Sequence, residues 1–159
     1  METLADRLLR EFLAAHSERA SSTLVRSDCY HFSDTQESAN YCLALVLSRD
    51  KRATTSVLWA YETEEEPLPE IGQLDVITDF AGKPHCLIET TGVEIRSYED
   101  VDETFAFEEG EGDKSLAYWQ SVHWEFCRKE CANLGREATL DMPLVLQRLS
   151  LVHVFEEVI

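Results

Sequence analysis

Lys51 stands three to five residues ahead of the hydroxyls Thr54, Thr55 and Ser56, and this pairing is the sequence's first candidate for chemistry. A lysine there can bind a phosphate. If desolvated, it can instead lose its proton and act as a base, which requires its ordinary pKa of ~10.4 to fall by about 3 units. The hydroxyls can then serve as nucleophile or substrate ligand in the same cavity. The competing reading is structural: a lysine that complements a helix end, followed by threonines that favour a strand. A second candidate is the acidic turn Glu108-Glu109-Gly110-Glu111-Gly112-Asp113. It lacks the alternating ligands and terminal glutamate of a calcium-binding loop. A solvated turn is the simpler reading, although its glycines allow the backbone, and one carboxylate, to approach a ligand closely.

The third candidate is His123, Cys127 and Cys131, spaced four and four. On a helix rising ~1.5 Å per residue, the outer two lie ~12 Å apart along the axis, too far to share one tetrahedral zinc. A helix face with buried thiols is expected, and no metal. The chain also lacks a phosphate-cradling glycine loop, a nucleophile elbow and paired cysteines at zinc spacing, so no cofactor is expected.

Several elements must position these groups. Apolar residues at helical spacing (Leu4, Leu8, Phe12, Ala15) predict a helix over Met1 to His16, and Ser17 to His31 reads as a loop. Ser33 with Gln36 fits a capping box for a second helix, striped by Ala39, Cys42, Leu43, Val46 and Leu47 and ending near Lys51. Thr54 to Tyr61 predicts a strand carrying Trp59 as core or pocket wall, then an acidic loop over Glu62 to Pro69. Leu74 to Thr78 and His85 to Glu94 form two strands around an Ala81-Gly82-Lys83-Pro84 hairpin turn. Val101 to Phe107 forms a short helix. A long helix, capped by Asp113 and stopped by Gly135, turns Leu116, Trp119, Val122, His123 and Phe126 inward, and Leu144 to Phe155 adds a last strand. Helices and strands do not alternate, so the class is α+β. The expected architecture is a small, mostly antiparallel β-barrel with helices packed outside. Residues 1–31 form an N-terminal helix-and-loop extension to a domain over 32–159.

Length and charge limit the function. The 159 residues suit one domain, and no apolar run is long enough to span a membrane. Glu2 and Asp6 in the first ten residues argue against a secretory signal. Five cysteines without paired spacing suit a reducing, cytoplasmic setting. Fourteen basic against 31 acidic side chains leave a net charge of −17. Such a surface repels polyanions and disfavours duplex DNA, yet leaves room for a local pocket that takes one nucleoside.

The segment Arg49-Asp50-Lys51-Arg52-Ala53-Thr54-Thr55-Ser56-Val57-Leu58-Trp59 resembles the signature segment of ASCH domains. Phe107 to Trp119 and His123-Trp124-Glu125-Phe126 resemble the acidic segment of the longer bacterial members, and the likeness spans roughly Tyr30 to Phe155. The signature runs glycine, any, lysine, two any, glutamate, any, arginine. Here only Lys51 keeps its family residue, with Arg49, Thr54 and Ser56 at the other three places. The resemblance implies a PUA-like barrel. One branch of small ASCH proteins deacylates acetylated cytidine with a lysine, a threonine three residues later and a distant glutamate. These fall on Lys51 as base, Thr54 as nucleophile or activator of water, and Glu109 as acid, its pKa raised by Glu108, Glu111 and Asp113. Arg52, Ser56, Asp113 and Ser115 are the implied substrate contacts. The implied function is a hydrolase that cleaves the amide of an acylated cytidine-type nucleoside. The alternatives are an ASCH-type ribonuclease, with Lys51 and Arg52 on phosphate, and a non-catalytic module that binds single-stranded RNA or a nucleotide.

Overall fold

The computed structural model describes residues 1–16, 18 and 27–155. In chain order the elements are α1 (Leu4–Ala15), β1 (Cys29–Tyr30), α2 (Gln36–Leu47), β2 (Ala53–Val57), α3 (Leu58–Glu64), β3 (Leu74–Thr78) and β4 (Pro84–Ser97). A 3-10 turn (Tyr98–Asp100) follows, then α4 (Glu103–Glu109), α5 (Leu116–Asn133) and β5 (Pro143–Val154). The five strands form one sheet in the order β1-β3-β4-β5-β2. β1 runs parallel to β3, and the other pairings are antiparallel.

The α+β class and the antiparallel majority match expectation, but the sheet is open rather than a closed barrel. Its two edge strands are too short to close it: β1 has two residues, and β2 gives way to α3 after Val57. The expected strand over Thr54 to Tyr61 is therefore half strand and half helix. Trp59 sits on α3, with the Arg136 guanidinium 4.4 Å from its ring centroid. Within the stretch read as a loop, Ser17 and residues 19–26 lie outside the described residues, whereas Cys29 and Tyr30 belong to the sheet.

Local chemistry sets the helix ends. Thr35, not Ser33, caps α2 by accepting from the Ser38 N–H, and Ser33 has a positive φ of 61°. Ser115, not Asp113, caps α5 and accepts from the Tyr118 N–H. In α1, Thr3 and Asp6 form the capping box, and Glu2 pairs with Arg10.

Three apolar clusters hold the layers. Phe105, Trp119, Cys127 and Cys131 from α4 and α5 pack on Ala53, Val57, Leu144 and Leu146. On α2, Cys42, Leu43 and Val46 pack on Ile77, Cys86, Ile88 and Leu149. Ala5 and Phe12 of α1 cover Val76 and Leu87. Full burial of a side chain such as Phe105 contributes ~2–3 kcal/mol, so α4 is held firmly against the start of β2. That docking positions the site.

Candidate functional site

Gly110, directly after α4, has φ +75°, and a Cβ there would lie 2.2 Å from the Asp50 carbonyl oxygen. Only glycine permits this approach. The Arg52 N–H donates to the Glu108 carbonyl at 2.7 Å, which ties the end of α4 to the chain entering β2. Glu109 is therefore the last residue of a helix rather than part of a free acidic loop, and it is held beside Lys51.

Lys51 is 2% exposed and Glu109 1%. Lys51 Nζ donates to Glu109 Oε1 at 2.6 Å and to Glu111 Oε2 at 3.2 Å. The other Glu109 oxygen, Oε2, accepts from Thr55 Oγ1 at 2.5 Å and from Trp119 Nε1 at 2.9 Å. His123 Nε2 lies 2.9 Å from the same oxygen, and its Nδ1 lies 3.0 Å from the Trp119 carbonyl oxygen. Both ring nitrogens thus face acceptors, an arrangement that only a doubly protonated imidazolium satisfies.

The electrostatics follow. Burial alone raises the Glu109 carboxyl, but Lys51 and His123 override it and hold the group well below the usual carboxylate range. Burial alone lowers Lys51, yet Glu109 and Glu111 carry it above the ordinary lysine value. His123 is likewise raised by Glu109 against the effect of its burial. The expected assignment of a neutral lysine and a protonated glutamate is therefore reversed in this geometry. Of the carboxylates expected to crowd Glu109, Glu108 pairs with Arg148 at 2.8 Å and Asp113, exposed, accepts from the Ser115 N–H, whereas Glu111 stays beside it and shares the Lys51 ammonium.

The cluster opens on a cavity of about 620 Å³ between α2, β2, α5, β1 and the segment that joins β1 to α2. That volume suits a small ligand. Lys51, Thr54, Thr55, Ser56, Glu109 and His123 all line it. Its carboxylates outnumber its two lysines, Lys51 and Lys129. Of the other expected substrate contacts, Ser56 is on the wall, whereas Arg52, Asp113 and Ser115 are not. Arg52 is exposed and stacks its guanidinium 5.7 Å from the Phe107 ring centroid. Ser115 is occupied as a helix cap, with Asp113 bonded to it.

The structure thus brings Lys51 and Glu109 together, but the hydroxyl bonded to Glu109 belongs to Thr55 rather than Thr54. β2 alternates, so Thr55 shares its inward face with the buried Ala53 and Val57 while Thr54 points the other way. That parity was available in the sequence. Glu111 was not foreseen as a partner of Lys51, because only the turn at Gly110 brings it there. His123 and Trp119, four residues apart on one helix face, were legible as inward but not as ligands of Glu109.

Glu109, Glu111 and His123 present ligand atoms all within 4.8 Å of one another, a spacing that a metal could use. The Lys51 ammonium already bonds to both carboxylates and supplies positive charge there. Cys127 and Cys131 are fully buried in the core, and burial pushes the Cys127 thiol up to about 12.

A family model described as the ASCH domain matches residues 28–153. In structure the chain is similar to the ASCH domain from Lactobacillus crispatus JV V101, at 39% identity over 94% of each chain and a TM-score of 0.88. It is also similar to protein EF3133 from Enterococcus faecalis V583, at 35% identity and a TM-score of 0.84 over 94% of this chain and 88% of that one. Hypothetical protein PH0355 shares the fold at 12% identity and a TM-score of 0.54, over 80% of this chain and all of that one. No curated protein matches the chain.

Proposed function

The chain belongs to the ASCH domain family, and from that premise we propose that it is a hydrolase that removes the acyl group from an acylated cytidine-type nucleoside. One observation carries the reading. A buried lysine, glutamate and threonine converge at 2.5–2.6 Å on the wall of a cavity whose acidic lining suits an uncharged ligand better than a phosphate chain. The same lining, with Arg52 outside the cavity, argues against the ribonuclease alternative.

In this reading Thr55 Oγ1 attacks the acyl carbonyl carbon and its proton passes to Glu109, the carboxylate that already accepts from it. The Lys51 ammonium donates to the oxyanion that forms. Collapse breaks the C–N bond, and Glu109 hands its proton to the departing nitrogen, which leaves an acyl ester on Thr55. Water then attacks that ester and gives a proton to Glu109. The C–O bond to Thr55 breaks, and the proton returns to Oγ1. The net change is amide plus water to amine plus carboxylic acid. Glu109 is thus a base before it is an acid, and Lys51 stays charged throughout. His123 and Trp119 are positioning residues that hold the carboxylate between turns.

The test is a panel of acylated nucleosides and short single-stranded RNAs, run with wild type, Lys51→Ala and Thr55→Val. Release of free nucleoside by wild type alone supports the reading. Cleavage confined to RNA assigns the site to ribonuclease chemistry. Binding without turnover leaves a non-catalytic module.

A further inference from the structure

Gln147 is a polar residue where the surrounding strand is apolar. In β5 it follows the buried Leu144, Val145 and Leu146, and it is itself only 5% exposed. Its Nε2 donates to Thr90 Oγ1 at 2.8 Å, a bond to another fully buried side chain. Its Oε1 makes no hydrogen bond among the described residues, yet it is not sealed away from solvent, and Gln147 lines the cavity. An amide bonded at one end and open to a cavity at the other presents a free acceptor there, which water or a ligand can complete.

The cavity, not the strand register, joins this amide to the reactive cluster. Gln147 lies directly opposite Thr54 on β2 and leaves the sheet on the Thr54 face. Gln147, Lys51, Thr55, Glu109 and His123 nevertheless all line the same cavity of about 620 Å³. One small molecule bound there can therefore meet the reactive cluster and the Gln147 amide together.

We infer that Gln147 is a specificity-determining residue: its Oε1 accepts a hydrogen bond from an amino-type N–H and selects a cytosine-type over a uracil-type base. A carbonyl oxygen can only accept. Cytosine carries an exocyclic N–H donor at the position where uracil-type bases carry a carbonyl acceptor, and the second pairing sets two acceptors against each other. The N–H survives acylation of that nitrogen, so substrate and product offer the same donor. The inference deepens the hydrolase reading and rests on it for the class of ligand.

Calorimetric binding of cytidine and of uridine tests it without requiring turnover. Wild type is expected to bind cytidine at least about tenfold more tightly than uridine, the scale of one hydrogen bond whose loss leaves a buried group unpaired. Gln147→Met, matched in length but unable to accept, should weaken cytidine about tenfold and abolish the preference, with a modest fall in melting temperature from the lost bond to Thr90. Gln147→Glu, which keeps an acceptor, should keep the preference for cytidine. Equal binding by wild type, a preference for uridine (the amide turned with Nε2 to the ligand), no binding of either, or an unchanged ratio in Gln147→Met each overturns the inference. Deacylation by a wild type that shows no base preference refutes the role of Gln147 and leaves the hydrolase reading standing. Cytidine preference without deacylation does the reverse.

Discussion

Replacing Lys51 by methionine strips the charge from one side of the 2.6 Å contact with Glu109 and leaves that carboxylate in a site where it is 1% exposed. Breaking a buried pair from one side costs ~3–5 kcal/mol. Glu109 Oε2 keeps Thr55, Trp119 and His123 as partners, so the lower end applies, about 3 kcal/mol. For a chain of this length 1 kcal/mol moves the melting temperature ~2–4 °C, so a fall of about 9 °C is expected. The pH dependence gives the cause. In wild type the folded pKa of Glu109 is depressed, so its contribution is present above the ordinary carboxylate pKa and is lost only as pH falls toward the lower folded value. Without Lys51 the carboxyl loses the largest charge that opposes its burial, so it takes up a proton at a higher pH than in wild type. The deficit of Lys51→Met is therefore full at pH 8 and narrows as pH falls through ~4–5. Urea denaturation at pH 8 and pH 4.5 measures it, with Lys51→Met/Glu109→Gln as partner variant. The double variant should recover much of the loss, because it removes the carboxylate that Lys51→Met leaves buried without its ammonium. A loss below ~1 kcal/mol at pH 8, or a further loss on adding Glu109→Gln, refutes the reasoning.

Thr55→Val should lower turnover of an acylated nucleoside at least ~100-fold and Thr54→Val far less, because only Thr55 bonds to Glu109; equal losses in steady-state assays would return the nucleophile to Thr54. His123 has a raised pKa, so its contribution is full below the ordinary histidine value and is lost as pH rises through the folded value. The stability deficit of His123→Gln should therefore be larger at pH 6 than at pH 9 in urea titrations. Gly110→Ala should cost at least ~2 kcal/mol, from left-handed strain plus the clash with Asp50, and should lower activity as Glu109 moves off Lys51; calorimetry and turnover read both. Arg49 has φ +69° just past α2, at the position of the family's signature glycine, so Arg49→Gly should raise stability by ~0.5–1 kcal/mol in the same titration.

Elements defined by periodicity were legible from residue order. α1, α2, β3 and β5 fall close to the expected bounds because each carries an apolar stripe or run that must be buried. Boundaries set by competition were not. Ser33, Thr35, Asp113 and Ser115 are all competent caps. Which one serves depends on backbone angles at the helix entry, as the positive φ of Ser33 shows. β2 stops at Val57, although Leu58 to Tyr61 suit a strand equally well, because α3 packs against α5 and β5.

The sequence by itself determined that Lys51 and the hydroxyls after it sit between a helix end and a strand, that Glu109 lies in an acidic glycine turn, and that Trp119 and His123 share one helix face. Only tertiary structure decided what these groups are chemically. The protonation state of a carboxylate or an amine depends on burial and on the charges within a few ångströms. Here those charges come from residues up to 60 positions away, as the Lys51–Glu111 contact shows. The sequence suggested a neutral lysine beside a protonated glutamate. The close approach at Gly110 and the docking of α5 instead buried the two together with His123, and that made an ammonium, a carboxylate and an imidazolium.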